Sequence, residues 1–205
     1  MENLIENNEV RLEGTVDGVP EFSHEIYGET FMKFPLKVKR LSDNADNIIL
    51  TVSERILNCN PVEIGDEIKV TGQFRSYNNY TDEGSKLVLT VFVKKLNEDE
   101  EEYESPNSIF INGFICKPPV YRTTPFGREI ADMMLAVNRA YGKSDYIPCI
   151  AWGRNAQYTE NLPVGTNVKL WGRIQSREYK KKIDEENFVI KTAYEVSVTK
   201  MEIGE

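Results

Sequence analysis

The sequence has little of what most enzymes and secreted proteins are built on. It holds one histidine, His24, and three cysteines, Cys59, Cys116 and Cys149, which are odd in number, far apart and without metal-ligand spacing. A disulfide framework and a zinc site are therefore not expected. Also missing are a Gly-rich phosphate loop, a nucleophile motif and a cluster of metal ligands, which argues against an enzyme and against any cofactor. Paired acids such as Asp184 and Glu185 sit beside lysines in a predicted hairpin and read as solubility. No basic-then-apolar segment opens the chain, and no run of about 18 apolar residues could cross a bilayer, so the expectation is a cytoplasmic protein without a membrane partner.

What is present begins with charge. The 205 residues, 40% hydrophobic and 28% charged, suit one large or two small soluble domains. A net charge of −8 argues by its sum against a polyanionic partner, but the distribution matters more. Residues 1–104 hold 11 Lys and Arg against 22 Asp and Glu, a net of −11, whereas residues 105–205 hold 14 against 11, a net of +3. The two halves have opposite electrostatic characters.

They are also related. Val10-Arg11-Leu12-Glu13-Gly14 matches Ile109-Phe110-Ile111-Asn112-Gly113, and Pro20, Phe22 and Gly28 match Pro119, Tyr121 and Gly127, all at an offset of 99. Leu36, Val38 and Arg40 continue onto Leu135, Val137 and Arg139, and GDEIKVTGQFRS (65–76) lies over GTNVKLWGRIQS (165–176) at an offset of 100. So small a change in offset predicts one fold twice, with minor loop differences. Between the copies, the acidic stretch NEDEEEYESPN cannot bury enough apolar surface to order itself and reads as a hinge, chiefly solvation, with a docking role as the alternative. The predicted division is an N-terminal domain over 1–96, an acidic linker over 97–106 and a C-terminal domain over 107–205.

Each copy reads as strand, strand, strand, short helix, strand, strand. In the second these are Ile109–Ile115, a strand on which Ala131, Met133, Leu135 and Val137 share a face, Asp145–Trp152, a short helix or turn over 154–162, a long strand after Gly165, and Phe188–Lys200. A turn is expected over Ala140–Ser144 and a hairpin through Lys180–Glu186. In the first they are Val10–Val16, Phe31–Arg40, Ile48–Ser53, a short helix that Ser53 could cap, Glu67–Ser76 and Leu87–Leu96. Five strands with a helix between the third and fourth is the layout of the OB-fold barrel, so the predicted class is all-β, two tandem five-stranded OB-fold barrels.

Within the second copy the stretch KLWGRIQSREY, 169–179, carries the most chemistry. With a two-residue period, Lys169, Trp171, Arg173, Gln175, Arg177 and Tyr179 turn one way, and Leu170, Gly172, Ile174 and Ser176 the other. A face that mixes bases with aromatics suits single-stranded nucleic acid, because rings stack on nucleobases and cations hold phosphates. An ordinary amphipathic strand with a solvated basic face would look the same. Arg122, Arg128, Arg139 and Arg154 are further candidates for phosphate contacts, as are Lys180, Lys181 and Lys182, although Asp184-Glu185-Glu186 follows them and partly cancels their charge. Such contacts would confer affinity without sequence choice.

The second copy resembles the bacterial single-stranded DNA-binding protein family over about residues 107–200. The resemblance is carried by the Asn-Gly of the first strand, Pro119-Val120-Tyr121-Arg122, Gly127, Leu-Ala-Val-Asn-Arg, Ile-Pro-Cys-Ile-Ala-Trp-Gly and Gly-Arg-Ile-Gln-Ser-Arg. It implies base stacking at the positions held here by Tyr141, Tyr146, Trp152 and Tyr179. Independently of it, Tyr146 and Trp152 share strand parity, but so do Pro148 and Ile150, which leaves open that Trp152 packs into the barrel. By the repeat offset, the first copy has Ser42, Asn47 and Ser53 where the second has Tyr141, Tyr146 and Trp152. Its binding face is therefore expected to be degenerate, with Lys69, Arg75, Tyr77 and Tyr80 left for a secondary contact.

The resemblance implies a non-enzymatic protein that covers single-stranded DNA in replication, recombination or repair, nucleoid-associated, with a homodimer presenting four barrels and with replication or repair proteins as further partners. Family members commonly end in a flexible acidic tail that recruits such proteins. This sequence closes on VTKMEIGE, so recruitment by that route is not expected, and an accessory or mobile-element role, or likeness to the tailless primosomal relatives, is the expectation. The competing reading is a primosome-type assembly module that binds nucleic acid weakly, and RNA in place of DNA is a milder variant.

Overall fold

The structure is a computed structural model that describes residues 7–42, 44–81, 84–98, 102–182 and 188–204. Its first half contains β1 (Asn8–Val16), β2 (Glu21–Ile26), β3 (Glu29–Lys39), β4 (Ala45–Ser53), α1 (Glu54–Cys59), β5 (Glu67–Thr81) and β6 (Gly84–Leu96). The second half repeats this with β7 (Asn107–Ile115), β8 (Val120–Thr123), β9 (Glu129–Asn138), β10 (Ser144–Trp152), α2 (Arg154–Thr159), β11 (Asn167–Lys182) and β12 (Phe188–Ile203). A 3-10 turn at Ala140–Gly142 fills the predicted turn between β9 and β10.

The five-strand plan with its helix is present in both halves, and each has one short strand more. β2 and β8 escape a reading by alternation because their burial does not alternate: no residue of either is buried. Ser53 caps α1 as expected, its hydroxyl accepting from the Arg55 amide at 3.2 Å. Alternation does mark the long strands. On β1 the residues Val10, Leu12 and Val16 are buried while Arg11 is exposed, and on β7 Ile109, Ile111 and Ile115 are buried.

The pairing of β3 with β1 closes the first half into a barrel, and that of β9 with β7 closes the second. Closure demands a sharp bend in β5 and in β11, and glycine permits it. A Cβ on Gly72 would strike the carbonyl oxygen of Phe92, and one on Gly172 that of Ser197. At the same two places the register slips, between Thr71 and Gly72 and between Trp171 and Gly172, the mark of a bulge. Inside, Phe34, Phe74, Leu36 and Leu50 fill the first barrel and Ile111, Leu135, Ile147 and Leu170 the second, all fully buried.

The two barrels join edge to edge into one twelve-stranded sheet through antiparallel pairing of β1 with β7. Val10 pairs with Ile109, its own repeat counterpart, so a pseudo-two-fold axis passes between them. Where β1 turns from β5 toward β7, the Asn8 amide bridges the gap. It donates to the Phe74 carbonyl at 2.7 Å and accepts from the Phe74 amide at 2.9 Å. Asn107 does the same for Ile174, at 2.7 and 2.9 Å. The end of the acidic segment, expected as a hinge, lies along the first barrel. Pro106 accepts from the Glu13 amide at 2.9 Å, and the Tyr103 hydroxyl lies 3.4 Å from that of Thr71.

Candidate nucleic-acid interface

On β10 the side chains of Ile147, Cys149 and Ala151 enter the core, which turns Tyr146, Pro148 and Trp152 outward. Trp152 therefore does not fill the barrel interior. Its ring nitrogen donates to the Ser197 hydroxyl at 3.1 Å, which pins the half-buried indole against β12. Tyr146 is 48% exposed. Cross-strand partners share a face, so Met134 and Asp132 on β9, and Arg173, Gln175, Arg177 and Tyr179 on β11, turn to the same outer side as Trp152 and its β12 neighbours. Arg177 and Tyr179 are exposed there.

The mixed face read from 169–179 is real in its alternation but not a single surface. Trp171 and Tyr179 are eight residues apart, on the order of 26 Å along an extended strand. Trp171 sits over β7, its ring 5.1 Å from that of Phe110, with the Lys200 ammonium 4.4 Å from its centroid. Arg173 and Gln175 meet the seam between the barrels, where Gln175 is buried and donates to Glu195 at 2.5 Å. Among the described side chains of this face, only Arg177 and Tyr179, toward the far end of the strand, are exposed.

The predicted arginines fall into two groups. Arg122 pairs with Asp132 at 2.8 Å on the surface, while Arg128 and Arg154 are exposed. Arg139 and Arg173 instead face buried carboxylates at the seam: Arg139 Nε lies 2.9 Å from Asp145, and Arg173 Nη1 lies 3.3 Å from Asp46. The side chains of Tyr141, Lys180, Lys181 and Lys182 lie outside the described residues.

Asp46 and Asp145 are the residues that sequence reasoning missed. Each reaches across the seam to the other barrel. Asp46 accepts from the Ser176 amide at 2.7 Å, and Asp145 from the Ser76 amide at 2.6 Å. The serines answer in kind: Ser176 Oγ accepts from the Asn47 amide at 3.2 Å and Ser76 Oγ from the Tyr146 amide at 2.7 Å. The signal lay in the repeat itself, since both aspartates, both serines and the arginines Arg40 and Arg139 recur at offsets of 99 or 100.

The two carboxylates nevertheless differ. Burial acts to raise the pKa of Asp46, but the aligned Arg40 fork (2.8 and 2.6 Å), the Ser176 amide and the charges of Arg40 and Arg173 outweigh it and hold the carboxyl below its ordinary range. Burial wins at Asp145, whose pKa is raised, because the Ser76 amide and the charges of Arg139 and Arg75 offset it only in part. Arg139 approaches Asp145 without the alignment of a hydrogen bond.

Two pseudo-symmetric barrels with an outward aromatic and basic face on the second define a tandem OB-fold protein. Residues 106–203 match the model of the single-strand binding protein family. In sequence the second barrel is thus similar to bacterial single-stranded DNA-binding proteins. It is 38% identical over 80 residues to single-stranded DNA-binding protein 1 of Staphylococcus aureus (strain COL), covering 36% of this chain and 48% of that one. To single-stranded DNA-binding protein A of Bacillus subtilis (strain 168) it is 33% identical over 90 residues, 40% of this chain and 52% of that one. The chain thus spans about half the length of the curated relatives it matches. The crystal structure of the wild-type single-stranded DNA binding protein from Thermus aquaticus superposes with a TM-score of 0.75 at 20% identity, covering 97% of this chain and 93% of that one. That likeness extends the shared fold over both barrels.

Proposed function

We propose that the protein binds single-stranded DNA without sequence choice, as a non-enzymatic cover for exposed strands in replication, recombination or repair. The observation that carries this is the outward face of β10, β11 and β12, where Trp152 is pinned against Ser197 beside exposed Tyr146, Arg177 and Tyr179. A ring fixed before binding loses little freedom when a base stacks on it, and each stack contributes roughly 1–3 kcal/mol. Arg177, Arg154 and Arg128 are the phosphate contacts, with Lys180, Lys181 and Lys182 as further candidates for that part and Tyr141 as a further candidate for stacking. Arg139 and Arg173 contribute mainly by holding the seam, because their charge already faces Asp145 and Asp46. The names of the curated relatives support the substrate. The functional division is a binding barrel over 107–205, a linker over 97–106 and a barrel over 1–96, with a homodimer of four barrels as the assembly.

Tryptophan fluorescence during titration with oligothymidine tests the reading, using Trp171→Phe so that Trp152 alone reports. Strong quenching that weakens as salt rises is the expected outcome, because stacking quenches the indole and phosphate contacts are screened. Unchanged emission at low salt, with no binding by anisotropy of a labelled oligothymidine, would sink the proposal. Trp152→Ala should weaken binding about tenfold.

A further inference from the structure

The acidic segment between the barrels ends on Glu104-Ser105-Pro106, and the function proposed above makes no use of it. Ser105 is exposed and outside any strand, on a stretch anchored to the first barrel at Tyr103 and Pro106. Its hydroxyl makes two long bonds to Asn107, donating to the carbonyl at 3.2 Å and accepting from the amide at 3.4 Å. A hydroxyl held so weakly exchanges its partners at little cost.

Stronger partners stand beside it. A cleft of about 320 Å³ opens at the seam between the barrels, walled by Ser105 with Lys39 and Arg40 of the first barrel and Arg173 of the second. Among the described residues Asp46 is the only carboxylate in that wall, so three cations face a single negative charge. Arg40 and Arg173 share it, at 2.6 and 3.3 Å, and their side chains remain 27% and 34% exposed. Lys39 is exposed, with no carboxylate paired to it among the described residues. Burial and the neighbouring Arg40 charge press the Arg173 pKa down against the pull of Asp46, the mark of a site with positive charge in excess.

The repeat shows what charge the position accepts. At the offset of 99 that relates Asn8 to Asn107 and Arg40 to Arg139, Ser105 stands where the first copy has Glu6. In sequence, one copy therefore carries a permanent negative charge at the position where the other carries a hydroxyl.

We propose that Ser105 is a phosphorylation site, and that its phosphate seats in the cleft on Lys39, Arg40 and Arg173 and fastens the linker to both barrels. The modifying enzyme is a protein kinase with a basic substrate groove, matched to the exposed Glu102 and Glu104 before the serine. In its active site the Ser105 oxygen attacks the terminal phosphorus of a nucleoside triphosphate. The bond to the leaving nucleoside diphosphate breaks, and the hydroxyl proton passes to a base of the kinase. The product carries about −1.5 to −2 charges at pH 7 and three acceptor oxygens, on which a guanidinium aligns two N–H groups at once. This inference is independent of the single-strand reading.

Phosphoserine placed at position 105 of the full chain by genetic encoding tests the seat. The melting temperature should rise by roughly 3–6 °C over the unmodified chain. In the variant Lys39→Ala the rise, measured against that variant's own unmodified form, should fall by about half. An unchanged or lower melting temperature in the phosphorylated chain would overturn the inference. So would a rise of equal size from inorganic phosphate added to the unmodified chain, since the cleft would then be an anion site that needs no Ser105. Occurrence is read by mass spectrometry of the chain and its peptides, isolated from the cells that encode it during growth, starvation and DNA damage. A phosphatase-sensitive phosphate on Ser105 is expected, and a chain carrying none there in all three conditions would sink the proposal.

Discussion

Asp46 and Asp145 show how far two copies of one residue can part. Their side chains are 1% and 0% exposed and both take an amide from the opposite barrel, yet only Asp46 has an arginine fork in hydrogen-bond alignment. Removing a well-paired buried charge costs on the order of 3 kcal/mol, so Asp46→Asn should destabilise by about that much at neutral pH. Asp145→Asn should cost less, near 1 kcal/mol, because the lost charge was poorly compensated. The sign with pH follows. Asp46 has a depressed folded pKa, so its contribution is full above the ordinary aspartate value and fades as pH falls through the folded one. At Asp145 the raised value makes the ionised form a burden as pH climbs from the ordinary value through the folded one. Urea unfolding at several pH values should therefore show the Asp46→Asn deficit shrinking in acid. A deficit that stays constant with pH would contradict this.

Among the elements, the two bulged strands decide the shape. Gly172→Ala should cost about 2 kcal/mol, since the new methyl group meets a backbone carbonyl that cannot swing away, and Gly72→Ala should cost a similar amount. Thermal melts of both variants check this, and a change below a few tenths of a kcal/mol would mean that the barrel closes without the bend. The strands themselves were readable from sequence wherever one face was buried. Alternation located β1, β7, β9 and β10, and the capping serine located α1. It failed for β2 and β8 because they lie at the sheet edges with no buried residue. It also presented β11 as one face, since a period of two says nothing of the different neighbours that sixteen residues meet. The outward turn of Trp152 depended on which parity entered the core, and that the sequence of β10 left open. Phe92, over whose ring the Arg75 guanidinium lies at 3.7 Å, escaped notice because the repeat offset compares like positions, and this aromatic contact is made from an unlike one.

At the scale of the molecule, the seam couples the barrels through reciprocal aspartate and serine bonds and through the β1–β7 ladder. Calorimetry should accordingly show one unfolding transition for the chain, and the pair of changes Asp46→Asn and Asp145→Asn should broaden or split it. Two well-separated transitions in the unaltered protein would mean that the seam is weaker than its bonds imply. The axis through Val10 and Ile109 also has a kinetic meaning, because the two surfaces it relates are tethered by one backbone. Their meeting is first-order, governed by an effective concentration that dilution leaves unchanged. Two separate barrels would fall apart in a cell that made only a few of them, whereas this pair, and the cleft between its members, forms as readily from a single translated copy as from thousands.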